Sequence, residues 1–556
     1  MAFLRKSSRT IVVTLLILLS CTLSVAERRE RLIDRWRPVH YEVSLSFNKN
    51  LSEILSAQTE VTVLILKNAV RSLDLDFADM PVDSVRVGGK LARYSRANGK
   101  MVVILARPAN KGEQLKVAVA YHGRPKDGLI LTADKDGSPS ATGDNWPDRV
   151  HYWIPSLDHP SAKATVRFTV TAPTRDVVVA NGALEQTRSN SNTTRTWVWN
   201  ERIPISPYCM IIAVGDFALV EPAQQAAPRL SYYVPQSDGR FAMQGFAASL
   251  PSLKYFSETV GPFSYEKLAM IVGATRYGGM ENSSAIVFGR NLFEGFENKQ
   301  PRSHVYDIPT NVRDVVSHEI AHQWFGDSVT EATWADLWLS EGFATYFAGL
   351  FIERYEGQDE FRAYMKAAAE RYFLYEKVHK TPIHDKETED LNALLNPNNY
   401  EKGAWVLHML RGLTGDKPFF QGIRDYYSTH RNATATTEDL RAALEKTSGM
   451  NLKDFFRQWV YGSGHPRYEA AWRWSPSGES NQSGFVDVVV RQVQDGDAFL
   501  IPLTLEVVTA DGLQLATITP QSKYATTRVP VSSRPTTITI DPDQTVLDEI
   551  TVVRLD

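Results

Sequence analysis

The chain has 556 residues, 43% of them hydrophobic, which is enough to bury more than one core and to suggest about three or four domains. Its 61 Lys and Arg nearly balance 64 Asp and Glu, and a net charge of −3 makes no electrostatic case for a polyanion. Nucleic acid is excluded as an expected partner.

The first residues read as an export signal. Arg5, Lys6 and Arg9 form a basic region, Ile11 to Leu19 an apolar one, and small residues follow. The apolar run is too short to span a bilayer comfortably, and no later segment is long and apolar enough, so no transmembrane span is expected in the mature chain. Two processing routes stay open: cleavage after "SVA", removing residues 1–26, or lipid anchoring at Cys21 in "LLSC"; an uncleaved anchor is the third. Either main route places the protein in a periplasmic, envelope-anchored or extracellular location. Only Cys21 and Cys209 are present, so the mature chain has no intramolecular disulfide, which fits a bacterial envelope. Cys209, in "SPYCMIIAVGDF", is read as a buried strand residue.

From residue 27 to 228 the pattern is short β runs between turn signals, among them "HYEVSLSF", "QTEVTVLIL", "QLKVAVAY" and "TRTWVWNE". The period then changes, and Phe241 to Thr259 carries apolar residues at helical spacing until Gly261-Pro262 breaks it. Residues 229–465 hold further helical stretches, including "ADLWLSEGFATYFAGLFIERY" and "GAWVLHMLRGL". Strands return in 466–556 as "FVDVVVRQV", "FLIPLTLEVVT" and "TTITIDP". The fold class is therefore multidomain α+β, in the order β, α-rich, β.

Within the α-rich part stands "VVSHEIAHQWFGD", Val315 to Asp327. Residues four apart lie on one helix face, so His318 and His322 can offer two imidazoles to one ion, with Glu319 beside them as a base for a metal-activated water. A solvated helix with two unrelated histidines is the bland alternative. Against it, Thr310 or Asn311 after Pro309 can cap the helix, Val312, Val316, Ile320 and Trp324 give it an apolar side, and Gly326 can close it. A hydrolytic zinc site uses three protein ligands. Glu341, nineteen residues after His322 in a strongly apolar helix, is the natural third, because a carboxylate there is costly unless paired or metal-bound; a dipole-favoured helix N-terminal carboxylate is the competing role. Two imidazoles and one carboxylate suit Zn2+, one per chain. The expected chemistry is amide hydrolysis.

H-E-x-x-H, eighteen intervening residues and the glutamate of "LWLSEGFATYF" resemble the zinc aminopeptidases that include aminopeptidase N and leukotriene hydrolase, the gluzincins of peptidase family M1. "GGMEN" resembles the G-x-M-E-N exopeptidase motif of that family, "NNYEKGAWVLHMLR" its tyrosine-bearing segment, "FFRQWVYGSGHP" the end of its catalytic domain and "WIPSLDHP" a landmark of its N-terminal domain. The resemblance implies a β-sheet saddle, a thermolysin-like catalytic domain and a C-terminal β-sandwich, in a short form without the family's large helical domain and hence with a more open site, or one closed by a partner or a second subunit. It implies a zinc metallo-aminopeptidase acting on peptides with a free N-terminus: Glu281 would bind the α-amine, Gly278, Gly279 and Met280 the substrate backbone, and Tyr400 would donate its hydroxyl to the oxyanion. Two departures stand out. Where relatives carry a second amine anchor this chain has Trp146, so either Asp144, Asn145 or Asp148 replaces it or amine recognition is weaker; and "MENSSAIVF" lacks the usual aromatic after M-E-N. A thermolysin-like endopeptidase and a zinc-less scaffold of the same fold are the alternative readings.

Overall fold

In the first part of the chain apolar residues alternate with polar ones, and the strands that result bury one face. Trp36–Phe47 turns Tyr41, Val43, Leu45 and Phe47 inward. It lies between an antiparallel partner, Ile54–Ile65, and a parallel one, Ala164–Pro173, at the middle of an eight-stranded sheet. The computed structural model describes residues 27–555 apart from 135–136, 224–226, 298–301, 304, 306–308 and 478–482; the expected export segment, with Cys21, lies outside the described residues. Among the described residues no helix is long and apolar enough to cross a membrane.

The change of sheet comes between Gly215 and Phe217 rather than near 228, because Phe217–Val220 already pairs with Arg229–Pro235 in the sheet of the next domain. Cys209 is fully buried, as expected, but on a 3-10 turn, Pro207–Cys209, and not on a strand.

The catalytic-type domain opens with a five-stranded sheet that the helical reading of residues 229–465 does not anticipate. Its strands Arg229–Pro235, Lys267–Gly273 and Ala285–Gly289 run parallel, and the two-residue strand Gly279–Met280 closes one edge, antiparallel to Ala285–Gly289. The expected helix from Phe241 is broken into a 3-10 turn, a single turn α1 (Ala242–Gly245) and α2 (Ser249–Thr259). Then come α3 (Thr310–His322), α4 (Trp338–Glu356), α5 (Gln358–Glu376), α6 (Gly403–Thr414), α7 (Asp416–His430), α8 (Thr437–Ser448) and α9 (Lys453–Trp459). Every residue of α4 from Trp338 to Ile352 is buried, as befits a helix that is apolar on all sides. Glu341 is the one carboxylate in that stretch, which has no basic side chain. The C-terminal part is a sandwich of a four- and a three-stranded sheet, sharing a core with the helices through contacts such as Trp459 on Phe499.

Two glycines decide how close α4 comes to the start of α6, directly after Asn398–Lys402. A Cβ built on Gly342 would lie 2.9 Å from the Gly403 backbone, and one on Gly403 would lie 2.9 Å from Gly342 Cα. With no side chain on either, the backbones touch, and Glu341 is brought beside Tyr400. Substituting Gly342→Ala or Gly403→Ala is expected to cost about 1–3 kcal/mol through overpacking, read as a lowered melting temperature. An unchanged melting temperature would show that the contact is not tight.

Candidate active site

Helix α3 starts directly after Pro309, and no side chain caps it; the expected Thr310 or Asn311 cap is not formed. It ends at His322, and Gly326, at φ +112, turns the chain in a conformation that favours glycine. That position also lacks room, since a Cβ there would sit 2.3 Å from Ser340 Oγ. The turn lets the start of α4 lie against the end of α3.

Three donors converge at this junction. His318 Nε2 and His322 Nε2 are 3.0 Å apart, and Glu341 Oε2 stands 3.4 Å from the first and 3.3 Å from the second. Donors about 2.0–2.1 Å from one tetrahedral ion stand roughly 3.3–3.4 Å from each other, so the triangle has the size of three zinc ligands. His322 Nδ1 lies 3.0 Å from the Phe325 carbonyl, a contact in which the ring N–H donates and the Nε2 lone pair is left facing the site. Glu341 Oε2 is buried with no hydrogen-bond partner, as a carboxylate reserved for an ion would be. The donor set therefore fits zinc.

Electrostatics make the same demand. Glu281, Glu319 and Glu341 are all buried, and Glu281, Glu319 and His322 place one ligand atom each within 4.8 Å of one another. Burial and the neighbouring carboxylates push Glu319 well above the ordinary range. Burial likewise lifts Glu281, to about 7, against the pull of His322. Burial would also raise Glu341, but His322 and His318 hold it down, to about 2. For three carboxylates packed this closely to stay ionised together takes more positive charge than two imidazoles supply.

The site opens into a cavity of about 760 Å³. Tyr400 lines it from the distorted turn Asn398–Lys402, its ring parallel to His318 at a centroid distance of 6.0 Å. Burial and the adjacent Glu341 keep its phenol far above its ordinary pKa, so it remains a donor. Gly278, Gly279, Met280 and Glu281 line it as well. Beyond Gly278 Cα there is open space, whereas the Gly279 backbone passes directly under the Glu319 carboxylate.

The structure thus brings all nine sequence-derived site residues to one cavity. It does not bring the proposed substitutes for the second anchor. Asn145 is spent on the Met210 carbonyl and the Trp153 indole, and Asp144 on Arg149 and Thr275. Asp148, pushed up to about 7 by burial and by the charge of Asp158, belongs to the β domain's own acidic cluster. Only Trp146 of that segment lines the cavity, edge-to-face with Tyr277 and Trp334. The far wall was missed in sequence. Thr310 and Asp314 follow from extending the four-residue spacing of the histidines back up α3, but Tyr364 and Arg371 on α5 carried no local signal.

Two family models match the chain: the peptidase M1 N-terminal domain over residues 37–209 and the peptidase family M1 domain over residues 246–459. Among curated proteins it is similar to a probable aminopeptidase 1 of Sulfurisphaera tokodaii, 24% identical over 84% of this chain and 58% of that protein. It is also similar to the tricorn protease-interacting factor F2 of Thermoplasma acidophilum, 25% identical over 71% of this chain and 50% of that one. The chain spans about half to three fifths of the length of such relatives. Among solved structures it resembles an M1 zinc metallopeptidase from Deinococcus radiodurans, at 25% identity and a TM-score of 0.65, covering 78% of this chain and 95% of that one.

The donor triangle makes a direct prediction. Purified protein is expected to hold zinc in a chelator-sensitive form; His322→Ala and Glu341→Ala should lose it, and Glu319→Gln should keep it. Metal analysis of the three variants checks this, and equal metal in all of them would place the ion elsewhere.

Proposed function

The chain belongs to peptidase family M1, and from that membership we propose that it is a zinc-dependent aminopeptidase that removes N-terminal residues from peptides. The observation that carries the proposal is Glu281, a buried carboxylate in the same cavity as the His318, His322 and Glu341 donors. His318, His322 and Glu341 would hold the zinc. When bound, zinc supplies Lewis-acid activation of a water and of the scissile carbonyl.

The remaining steps belong to side chains of this protein. Glu281 pairs with the α-ammonium, and because it stands at a fixed place in the cavity it sets which peptide carbonyl reaches the reacting position. Gly279–Met280 is an edge strand, so its outer side is free to take an extended substrate as one more strand. Glu319 takes the proton of the attacking water and returns it to the leaving amine. Tyr400, protonated throughout, donates to the carbonyl oxygen as negative charge develops there. The bound ammonium also neutralises one of the clustered carboxylates, so an N-blocked peptide would leave Glu281 buried and unpaired.

The distinguishing assay is a panel of aminoacyl amides beside their N-acetylated counterparts, with and without a chelator. Cleavage of the free-amine series, abolished by the chelator, is expected. Equal cleavage of blocked substrates would favour the endopeptidase reading.

Tyr400→Phe is expected to lower kcat by about 2–4 kcal/mol of barrier with little change in KM, measured by steady-state kinetics. An unaltered kcat would remove the phenol from the reaction.

A further inference from the structure

The loop Glu281–Ser284 is short, buried and bent, with Ser284 at φ +62, a left-handed conformation uncommon for a residue with a side chain. Several elements tie it down. Asn181 donates to the Ser283 carbonyl at 2.6 Å, the Gly182 N–H donates to Ser284 Oγ at 2.8 Å, and Ser284 Oγ donates to Glu201 at 2.9 Å. Lys267 donates to the Ser284 carbonyl at 2.7 Å. These bonds come from the β domain and from the neighbouring strand.

Gln323 adds a bond of another kind. Its Nε2 donates to the Glu281 carbonyl at 2.7 Å and to Asp327 Oδ2 at 2.7 Å, while its Oε1 accepts the Ser284 N–H at 2.9 Å. Two acceptors on one side and a donor on the other permit a single amide orientation, and at 1% exposure water does not compete. Gln323 directly follows His322. One rigid piece of backbone therefore carries a metal-ligand imidazole and, one residue on, the amide that grips the amine-anchor loop at both ends.

We infer that Gln323 is a positioning residue that sets the distance between the zinc ligands and Glu281, and so makes the site an exopeptidase. This rests on the aminopeptidase reading above. The Asn181, Gly182 and Lys267 bonds hold the loop to the β domain and the sheet, and Gln323, the residue that caps the end of α3, ties it to the end of that helix. Without that amide the loop stays buried but loses its registration to the metal site. A displacement on the order of 1 Å between anchor and reacting carbonyl is enough to cost about 100-fold in rate.

The test uses Gln323→Met, which keeps volume and removes the amide, and Gln323→Asn, which keeps the amide and shortens its reach. Each full-length protein is assayed for zinc content, for kcat and KM on an aminoacyl amide and its N-acetylated form, and, after zinc removal, for leucinamide and N-acetylleucinamide binding by calorimetry. The expected result is unchanged zinc, a discrimination between free and blocked substrates reduced about 10- to 100-fold, and a weakened affinity for leucinamide alone. Activity on both substrates lowered in parallel, with leucinamide affinity unchanged, would make Gln323 merely structural and overturn the inference. Failure of both variants to fold and bind zinc would overturn it too. If the wild-type protein itself did not discriminate, the aminopeptidase reading would be what falls.

Discussion

Everything in the catalytic half of this protein is arranged around a surplus of buried negative charge. Glu281, Glu319 and Glu341, all buried, meet at one cavity, with the imidazoles of His318 and His322 beside them. In water such a cluster would cost little; buried as these three are, they stay ionised together only where cations balance them, and otherwise they hold protons. A dication at the His318, His322 and Glu341 donors and one ammonium at Glu281 would balance it. The proposed requirement for metal and the proposed preference for a free amine are then two sides of one electrostatic deficit.

Such a cluster persists only if the scaffold leaves the carboxylates no other partners. The backbone contact between Gly342 and Gly403 draws Glu341 and Tyr400 together, and the Gly326 turn presses Ser340 against His322. The β domain is part of this scaffold. Lys163 donates to the carbonyls of Asp327 and Ser328, and the Tyr208 hydroxyl to that of Gly326, so the far domain satisfies the carbonyls just beyond the ligand helix. The cavity is therefore a product of two domains even though its metal donors lie in one.

How far the site could be read from sequence follows the range of the interactions involved. His318, Glu319 and His322 were legible because helix geometry alone places them on one face. Glu341 was legible because a carboxylate in so apolar a helix demands an explanation. Glu281 and Tyr400 were not legible from local rules; a lone "GGMEN" reads as a turn, and only resemblance singled them out. Asp144, Asn145 and Asp148 illustrate the opposite error. Each is polar and close in sequence to Trp146, but Asn145 is taken up by Trp153 within the β domain, and Asp144 by Arg149 and by Thr275 of the neighbouring domain.

The fold divides in the same way. Period-2 and period-3.6 patterns determined the β, α-rich, β order and the identity of the ligand helix, since both depend on neighbours a few residues apart. The five-stranded sheet under the helices escaped because its strands are buried on both faces and so lack alternation. What only the tertiary structure decided was proximity across long sequence gaps: that Gly342 meets Gly403, that Trp146 and not its polar neighbours faces the cavity, and that the Gln323 amide, one residue past a ligand, holds the Glu281 loop. Sequence spacing specifies which residue types stand on a helix face; which distant backbone lies against that face is set by how the layers pack.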